Sequence, residues 1–391
     1  MSTPQPLSGV RVIDFTQIMM GPCATQVLAD YGADVIKIER PGGGDLHRHS
    51  IKDDPDGIDN PVFASLNRNK RSLTIDTRGE AGKAVIYDLV KAADVVVNNF
   101  RAGVMERMGF GYDTLSKINP RIICAFGSGF GQSGPMAHKG GQDVLAQALS
   151  GVMARRSDPS VPLSVYATTF GDYTAGMHLV QAILLALLQR ERTGRGQQVA
   201  VSLFESLLGL QMQEAAMWLQ RQRDLNWGGF PLTGVFPTTD GAVVLVGAFK
   251  ANPLQDICKA LALPDLSAEP RYATFAGLVE HKATLQGVFR ERFASNTTAH
   301  WLARLEEQDL LCAPVQTMAQ ALASPQTEVN GTVVAGPDGK RFIGTPLTMA
   351  PEAFQMRRGA PHLGQHTDEI LGELGYDAGR IASLRDAKVL T

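Results

Sequence analysis

Short apolar runs alternate with amphipathic stretches through the first half of the chain. Residues 10–15 and 34–39 each fit a buried strand, and residues 24–31 between them carry apolar side chains at helical spacing. A turn is predicted at Gly21-Pro22, and Gly32 suits the position just after the helix. A strand, a helix and a strand within about thirty residues predict a right-handed βαβ unit.

The same alternation continues to about residue 200. Strands are predicted at residues 71–76, 95–97, 121–126 and 198–203, and helices at residues 80–93, 103–108, 112–118 and 172–192. Alternating strands and helices are typical of a parallel sheet. The pattern predicts an α/β fold with a large domain over residues 1–200. Residues 331–391, with a strand at 332–334 and a helix at 368–374, are expected to complete this domain.

The middle of the chain has a different pattern. Residues 204–223 have a helical pattern rich in Gln and Met, and residues 201–225 are interpreted as a helical linker. Residues 226–325 combine a strand at 243–246 with helices at 253–261, 278–294 and 298–308. This mixture predicts a smaller α+β domain.

Composition narrows the class of protein. The 391 residues are 44% apolar, and the net charge of −2 gives no general attraction to nucleic acid or to an anionic membrane. The four cysteines are scattered without a CxxC pair, which favours a reducing cytoplasm and no zinc ribbon. Residues 1–7 lack a signal-peptide pattern, and the apolar run at 179–188 is too short to span a bilayer. The histidines lack ligand spacing, so no metal site is predicted.

Cations cluster in the first domain, several of them in loops that follow predicted strands. Sheets of this kind bind ligands at those loops, so the cluster fits a polyphosphate ligand such as coenzyme A. A solvated basic face is the alternative interpretation. The cluster comprises Arg40, Arg68, Lys70, Arg71, Arg78, Arg101, Arg107 and Lys139.

Residues 129–134 match the pattern GxGxxG, but they do not follow the first strand as a dinucleotide-binding turn does. Pro135 comes next, and Arg155 and Arg156 stand about twenty residues on, where an acidic residue would bind the ribose. We therefore expect a flexible glycine loop that closes over a reacting group. Its N–H groups could stabilise an oxyanion.

Asp172 directly precedes the apolar helix predicted at residues 172–192. Aspartate is a preferred N-cap residue, because its carboxylate accepts hydrogen bonds from free backbone N–H groups. The same position favours the ionised carboxylate, which is the nucleophilic form. A capping role and a nucleophilic role are compatible.

These segments together resemble the class III CoA-transferases, the family of formyl-CoA transferase and carnitine CoA-transferase. The resemblance covers nearly the whole chain, and the order and spacing of its motifs are specific. The motifs are Asp14-Phe15-Thr16, Gly21-Pro22, residues 32–39, Asn69-Lys70-Arg71-Ser72, Asn99-Phe100-Arg101, residues 127–135, Gly171-Asp172, residues 193–197 and residues 363–369.

The resemblance implies a Rossmann-like large domain built from both chain ends, a smaller domain and an interlocked homodimer. It also implies that Asp172 attacks an acyl-CoA thioester, forming a mixed anhydride and then an aspartyl-CoA thioester. Coenzyme A is then a substrate, and no permanently bound cofactor is expected. The positions that match CoA-binding residues of the family are Gln17, Ile18, Arg40, Ile75, Arg78, Asn99, Phe100, Arg107 and Lys139.

The chain departs from formyl-CoA transferase at two places. Met19 stands where that enzyme has a catalytic glutamine, and the family's glycine run is reduced to Gly228-Gly229. Both departures argue against formyl-CoA and oxalate. Arg48 could pair with a second substrate carboxylate, so we expect a small dicarboxylate acceptor with succinyl-CoA as donor.

Two rival functions stay open from the sequence alone. An α-methylacyl-CoA racemase uses a histidine and an aspartate at Gly-His-Asp, whereas this chain has Gly141-Gln142-Asp143. Glutamine cannot exchange a proton at neutral pH, although Gln142 and Asp143 remain candidate substrate contacts. A nonenzymatic CoA-binding protein, with Asp172 as a cap alone, is the other rival.

Overall fold

The structure is a computed structural model that describes residues 4–158, 160–350 and 354–391. The domain prediction also included residues 1–3, 159 and 351–353, which lie outside the described residues. The chain divides into two compact units. The sheet unit comprises Met1–Val152, Val165–Gln211 and Gln326–Thr391, and the second unit comprises Met153–Ser164 and Met212–Pro325.

The sheet unit is built on six parallel strands in the order β3-β2-β1-β4-β5-β6. Continuous apolar runs form most of these strands because helices cover both faces of the sheet. The strand order reverses between β1 and β4, where doubly wound sheets leave a ligand crevice at the carboxyl ends of the strands. The strands are β1 Arg11–Asp14, β2 Asp34–Glu39, β3 Arg71–Thr74, β4 Val95–Asn98, β5 Ile123–Ser128 and β6 Gln198–Ser202.

Helices close both faces of this sheet. α1 and α7 bury Leu28, Leu179 and Ile183 against one face. On the other face, α3 and the C-terminal helices bury Ile86, Ile370 and Ile381. The helices up to α8 are α1 Met20–Asp30, α2 Pro61–Ala64, α3 Glu80–Lys91, α4 Val104–Met108, α5 Tyr112–Ile118, α6 Asp143–Leu149, α7 Phe170–Thr193 and α8 Leu203–Leu210.

The second unit has a three-stranded antiparallel sheet in the order β7-β8-β9, with its core between that sheet and its helices. Its strands are β7 Thr233–Pro237, β8 Ala242–Val246 and β9 Leu311–Pro314. Its helices are α9 Met212–Arg221, α10 Pro253–Ala260, α11 Phe275–Glu280, α12 Lys282–Phe293, α13 Thr298–Glu306 and α14 Met318–Leu322.

The chain then completes the sheet unit. α15 Pro325–Val329 leads into a hairpin of β10 Val333–Ala335 and β11 Arg341–Ile343. α16 Thr367–Glu373 and α17 Ala378–Asp386 follow, and α17 was not predicted from the sequence.

Three predicted boundaries were wrong for identifiable reasons. Gly21-Pro22 lies inside the first turn of α1, where a proline N–H would have no intrahelical partner in any case. The helix predicted at residues 204–223 is two helices that separate at Gln211, and they belong to different units. The helix predicted at residues 278–294 is broken at His281.

α7 is the one described helix that is long and apolar enough to cross a membrane by length and composition. It lies against α1, β5 and β6 and buries Ala175, Leu179 and Ile183 in the core of the sheet unit. These contacts explain its apolar composition as that of a core helix.

Candidate active site

A cavity of about 410 Å³ opens at the carboxyl ends of the strands, at the point where the strand order reverses. The loops after β1, β4 and β5 and the first turn of α7 supply its walls, which brings several sequence-predicted residues together. The lining residues are Gln17, Ile18, Met19, Met20, Leu46, Asn99, Phe100, Arg101, Ser128, Gly129, Ala137, Lys139, Gly140, Gly141, Gln142, Asp172 and Leu203.

Asp172 is the carboxylate of this cavity, but it is not the N-cap that the sequence predicted. α7 begins at Phe170 with Thr169 as N-cap, so Asp172 lies within the first helical turn. Burial raises the pKa of Asp172 to about 7, and the negative charge of Asp143 adds to that shift. The expected preference of a helix N-terminus for the ionised form is therefore outweighed. Near neutral pH both protonation states of Asp172 are populated.

Asp143 is the first residue of α6, and its side chain contacts the backbone of Asp172. Its Oδ2 accepts a hydrogen bond of 2.8 Å from the backbone N–H of Asp172, and Gln147 donates to its other oxygen. A β-carbon on Gly171 would lie 2.8 Å from Asp143 Oδ2, so only glycine allows this approach. Asp143 is 2% exposed, which makes it a partner of the Asp172 backbone and not the substrate contact that was predicted.

The turn between β1 and α1 forms a second wall. The backbone N–H of Gln17 donates to Asn99 Oδ1 at 2.9 Å, and Asn99 Nδ2 donates to the carbonyl of Gln17 at 2.7 Å. This reciprocal pair joins the ends of β1 and β4. Ile18 and Met19 follow in the cavity wall, and the Met19 sulfur accepts a hydrogen bond of 3.4 Å from Thr169 Oγ1.

Two glycines meet at the edge of the cavity. A β-carbon on Gly129 would lie 2.4 Å from the Cα of Gly141, and one on Gly141 would lie 2.3 Å from the Cα of Gly129. Neither position has room for a side chain. Gly129 follows β5, and no helix begins until Asp143, so this loop differs from a dinucleotide-binding turn.

The predicted cation cluster separates into two groups. Four members form ion pairs: Arg68 with Asp30, Lys70 with Asp14, Arg71 with Asp34 and Glu373, and Arg78 with Asp76. In the described part of the chain, the exposed side chains of the other four form no ion pair or hydrogen bond, and these are Arg40, Arg101, Arg107 and Lys139. The second group is therefore available to bind an anion.

The predicted substrate role of Arg48 is wrong in this structure. Arg48 is 1% exposed, and its Nε and one terminal nitrogen bind both carboxylate oxygens of Glu39 at 2.8 and 2.9 Å. Its other terminal nitrogen donates to Asp59, and the carbonyl of Pro361 accepts a further hydrogen bond from the guanidinium. Four of the five N–H groups of the Arg48 guanidinium are therefore engaged within the protein.

Four predicted CoA contacts lie apart from the cavity lining, namely Arg40, Ile75, Arg78 and Arg107. Ile75 is 2% exposed and packs in the core of the sheet unit, so its side chain cannot contact CoA. Arg78 is largely exposed and chelates Asp76. Arg40 follows β2 and lines a small crevice together with Gln17.

Gly228 and Gly229 lie in the second unit, in a short 3₁₀ turn. The side chain of Asn226 accepts a hydrogen bond of 3.1 Å from the N–H of Gly229 and so stabilises the turn. Among the described residues, no group of three or more His, Cys, Asp or Glu side chains could hold a metal ion.

Several lining residues were not predicted from the sequence. Arg101 was counted in the cation cluster but not among the predicted ligands, although it follows Asn99 and Phe100 directly. Its position after β4 was the available signal. Met20, Leu46 and Leu203 carry no chemical signature, and only the folded structure brings them to Asp172.

Sequence and structure comparisons agree on the family. The profile of CoA-transferase family III matches residues 7–367. An acyl-CoA transferase of Fusarium pseudograminearum is 36% identical over 406 aligned residues, covering 100% of this chain and 89% of that protein. A formyl-CoA:oxalate CoA-transferase of Escherichia coli is 34% identical, covering 98% of this chain and 99% of the relative.

Solved structures extend this similarity. A CAIB/BAIF family protein from Brucella suis has a TM-score of 0.85 and 30% identity, covering 95% of this chain and 100% of that one. A protein from Mycobacterium tuberculosis has a TM-score of 0.83 and 31% identity, covering 94% and 99%. The profile match, the full-length relatives and the shared fold lead to one conclusion. This chain belongs to CoA-transferase family III.

Proposed function

We propose that this enzyme moves coenzyme A from an acyl-CoA donor to a carboxylic acid, with Asp172 as the nucleophile. One observation carries the proposal: the carboxyl group of Asp172 lines a cavity at the reversal of the strand order. The available cations Arg101 and Lys139 line the same cavity and suit the phosphates of CoA.

The proposed reaction has two symmetrical halves. The Asp172 carboxylate attacks the thioester carbonyl, the C–S bond breaks, and an aspartyl mixed anhydride and CoA thiolate form. The thiolate attacks the aspartyl carbonyl, which releases the donor acid and leaves an aspartyl-CoA thioester. The acceptor carboxylate attacks this thioester, giving a second anhydride and thiolate. Attack of the thiolate on the acceptor carbonyl forms the new acyl-CoA and restores Asp172.

The surroundings of Asp172 suit this chemistry. A partly buried carboxylate is less solvated than one in water, which makes it a better nucleophile and slows hydrolysis of the anhydride. The meeting glycines Gly129 and Gly141 bring backbone close to the cavity without side chains. Backbone N–H groups there are the natural stabilisers of the oxyanion that develops in each step.

We propose that the acceptor is a monocarboxylic acid with a small apolar chain, and not the dicarboxylate expected from the sequence. That expectation depended on Arg48, which Glu39 and Asp59 occupy. The cavity walls contain Met19, Met20 and Leu203, whose thioether and aliphatic groups favour an apolar chain. Turnover should therefore be faster with a small monocarboxylate than with succinate or oxalate as acceptor, measured with acetyl-CoA and succinyl-CoA as donors.

We also propose a cytoplasmic homodimer. Leu184, Leu185 and Leu188 form an exposed apolar stripe along α7, with exposed fractions of 37%, 66% and 64%. A second chain is a suitable cover for such a surface, as the family resemblance implies. The cysteines are all free thiols, which fits a reducing compartment.

Trapping of the acyl-enzyme tests the proposed function. Hydroxylamine added during turnover should convert Asp172 into a hydroxamate, which peptide mass spectrometry detects at this residue. Asp172→Asn should give no trapped product and no transfer while still binding CoA. Asp113→Asn changes an aspartate in the first turn of α5 and serves as the matched control. Transfer by Asp172→Asn at the native rate would refute the proposal.

A further inference from the structure

The turn over residues 15–19 holds an unusual backbone conformation in the cavity wall. Ile18 has a φ of 67°, in the left-handed region that a β-branched residue rarely adopts, because its side chain then crowds the backbone. Such a conformation persists only where the surrounding structure holds it, and it is frequent at functional sites. Neighbouring groups must therefore hold Ile18 in place.

Side chains from other segments bind the backbone of Thr16, Gln17 and Ile18 in this turn. Lys37 Nζ donates to the carbonyl of Thr16 at 2.9 Å, and Asn99 binds both backbone groups of Gln17. The N–H of Ile18 itself donates to Asp45 Oδ1 at 3.0 Å. The hydrogen bond from Ile18 to Asp45 therefore restrains the strained residue directly.

Asp45 is well fixed for this task. It is 1% exposed, and its Oδ2 lies 2.7 Å from Lys37 Nζ, which is also fully buried. The backbone N–H of Asp45 donates to Glu39 Oε1 at 3.0 Å. Lys37 also binds Thr16, so the Lys37–Asp45 pair fixes the turn on both sides of Gln17, at Thr16 and at Ile18.

We propose that Asp45 is a positioning residue that holds Ile18 in the left-handed conformation and thereby shapes the CoA-binding wall beside Asp172. The inference deepens the proposed function and depends on it. Asp45 acts through Ile18, from behind the wall. Loss of its bond would let Ile18 relax to a common conformation and would shift the wall away from the position that receives the thioester.

The effect of Asp45→Ala on CoA binding, compared between the native enzyme and an Ile18→Gly variant, distinguishes a positioning role of Asp45 from general structural support. In the native background, Asp45→Ala should weaken CoA binding about tenfold, measured by calorimetry. In an Ile18→Gly background the same change should weaken it less than about threefold, because glycine adopts this φ without a steric cost. Equal weakening in the two backgrounds would overturn the proposal. Asp113→Ala, a change at an exposed aspartate in the first turn of α5, is the control and should leave affinity unchanged.

Thermal unfolding provides a second measurement that does not require Asp45→Ala to fold. Ile18→Gly should unfold at a higher temperature than Ile18→Ala, because alanine keeps a β-carbon in the left-handed conformation. The reverse order would overturn the proposal. If the native enzyme bound no CoA, the proposed function itself would fail. If it bound CoA with no coupling between positions 45 and 18, the positioning role alone would fail.

Discussion

The carboxylate of Asp143 caps the backbone N–H of Asp172 at 2.8 Å, so a second negative charge lies close to the carboxyl group of Asp172. This arrangement fixes the first turn of α7, and the added charge also raises the pKa of Asp172. The side chain of Asp143 therefore affects both the position of Asp172 and its pKa, to which burial makes the larger contribution.

The pH dependence of transfer should report this arrangement. The proposed nucleophile Asp172 must be a carboxylate to attack, and its pKa is raised to about 7, so kcat/KM should rise with pH and level off above that value. Asp143→Asn keeps an oxygen acceptor but removes the charge. The midpoint of the profile should then move to lower pH, whereas an unmoved midpoint would exclude the electrostatic role of Asp143.

Asp172 should also reduce the stability of the folded enzyme at neutral pH. The fold raises the pKa of this carboxyl group from an ordinary 3.8 to about 7, so between these pH values the folded state binds a proton that the unfolded state does not. Stability from this group therefore falls as the pH rises from about 4 to about 7. At about pH 8, Asp172→Asn should be more stable than the native enzyme by about 2–4 kcal/mol. The difference should shrink at about pH 5, measured by chemical denaturation, and Asp113→Asn should show no such trend.

Substitution of the unpaired cations should weaken CoA binding, whereas substitution of the paired cations should not. Arg101→Ala or Lys139→Ala should weaken CoA binding about tenfold, because each removes a charge-assisted contact to phosphate. Arg78→Ala removes an arginine that Asp76 already occupies, and its effect should stay below about twofold. Calorimetric titration with CoA at two salt concentrations compares the three variants. Equal losses in all of them would mean that ion pairing does not identify the binding cations.

Arg48 should behave as a structural residue. Arg48→Met leaves Glu39 buried without its bidentate partner, which should lower the free energy of unfolding by about 3–5 kcal/mol. The preference among acceptor acids should be the same in the variant at a temperature where it remains folded. A selective loss of dicarboxylate turnover would restore Arg48 as a substrate ligand.

The sequence predicted the sheet unit well, because its buried parallel strands are continuous apolar runs with clear boundaries. Asp34–Glu39 and Glu80–Lys91 lie where the pattern placed them, within two residues. Short strands with mixed exposure, such as β9, carry no comparable signal, and it was missed. Residue type also could not separate Arg48 from Arg101, since only the folded chain decides which guanidinium has a carboxylate partner.

The contact between Gly129 and Gly141 has a consequence for engineering new substrate preferences. With no space for even one methyl group on either backbone, a substitution at one position cannot be compensated by a change at the other. Mutant libraries that randomise either glycine would mostly yield misassembled enzyme. Met19 and Leu46, which face open space in the cavity wall, are the positions where variation can be accepted.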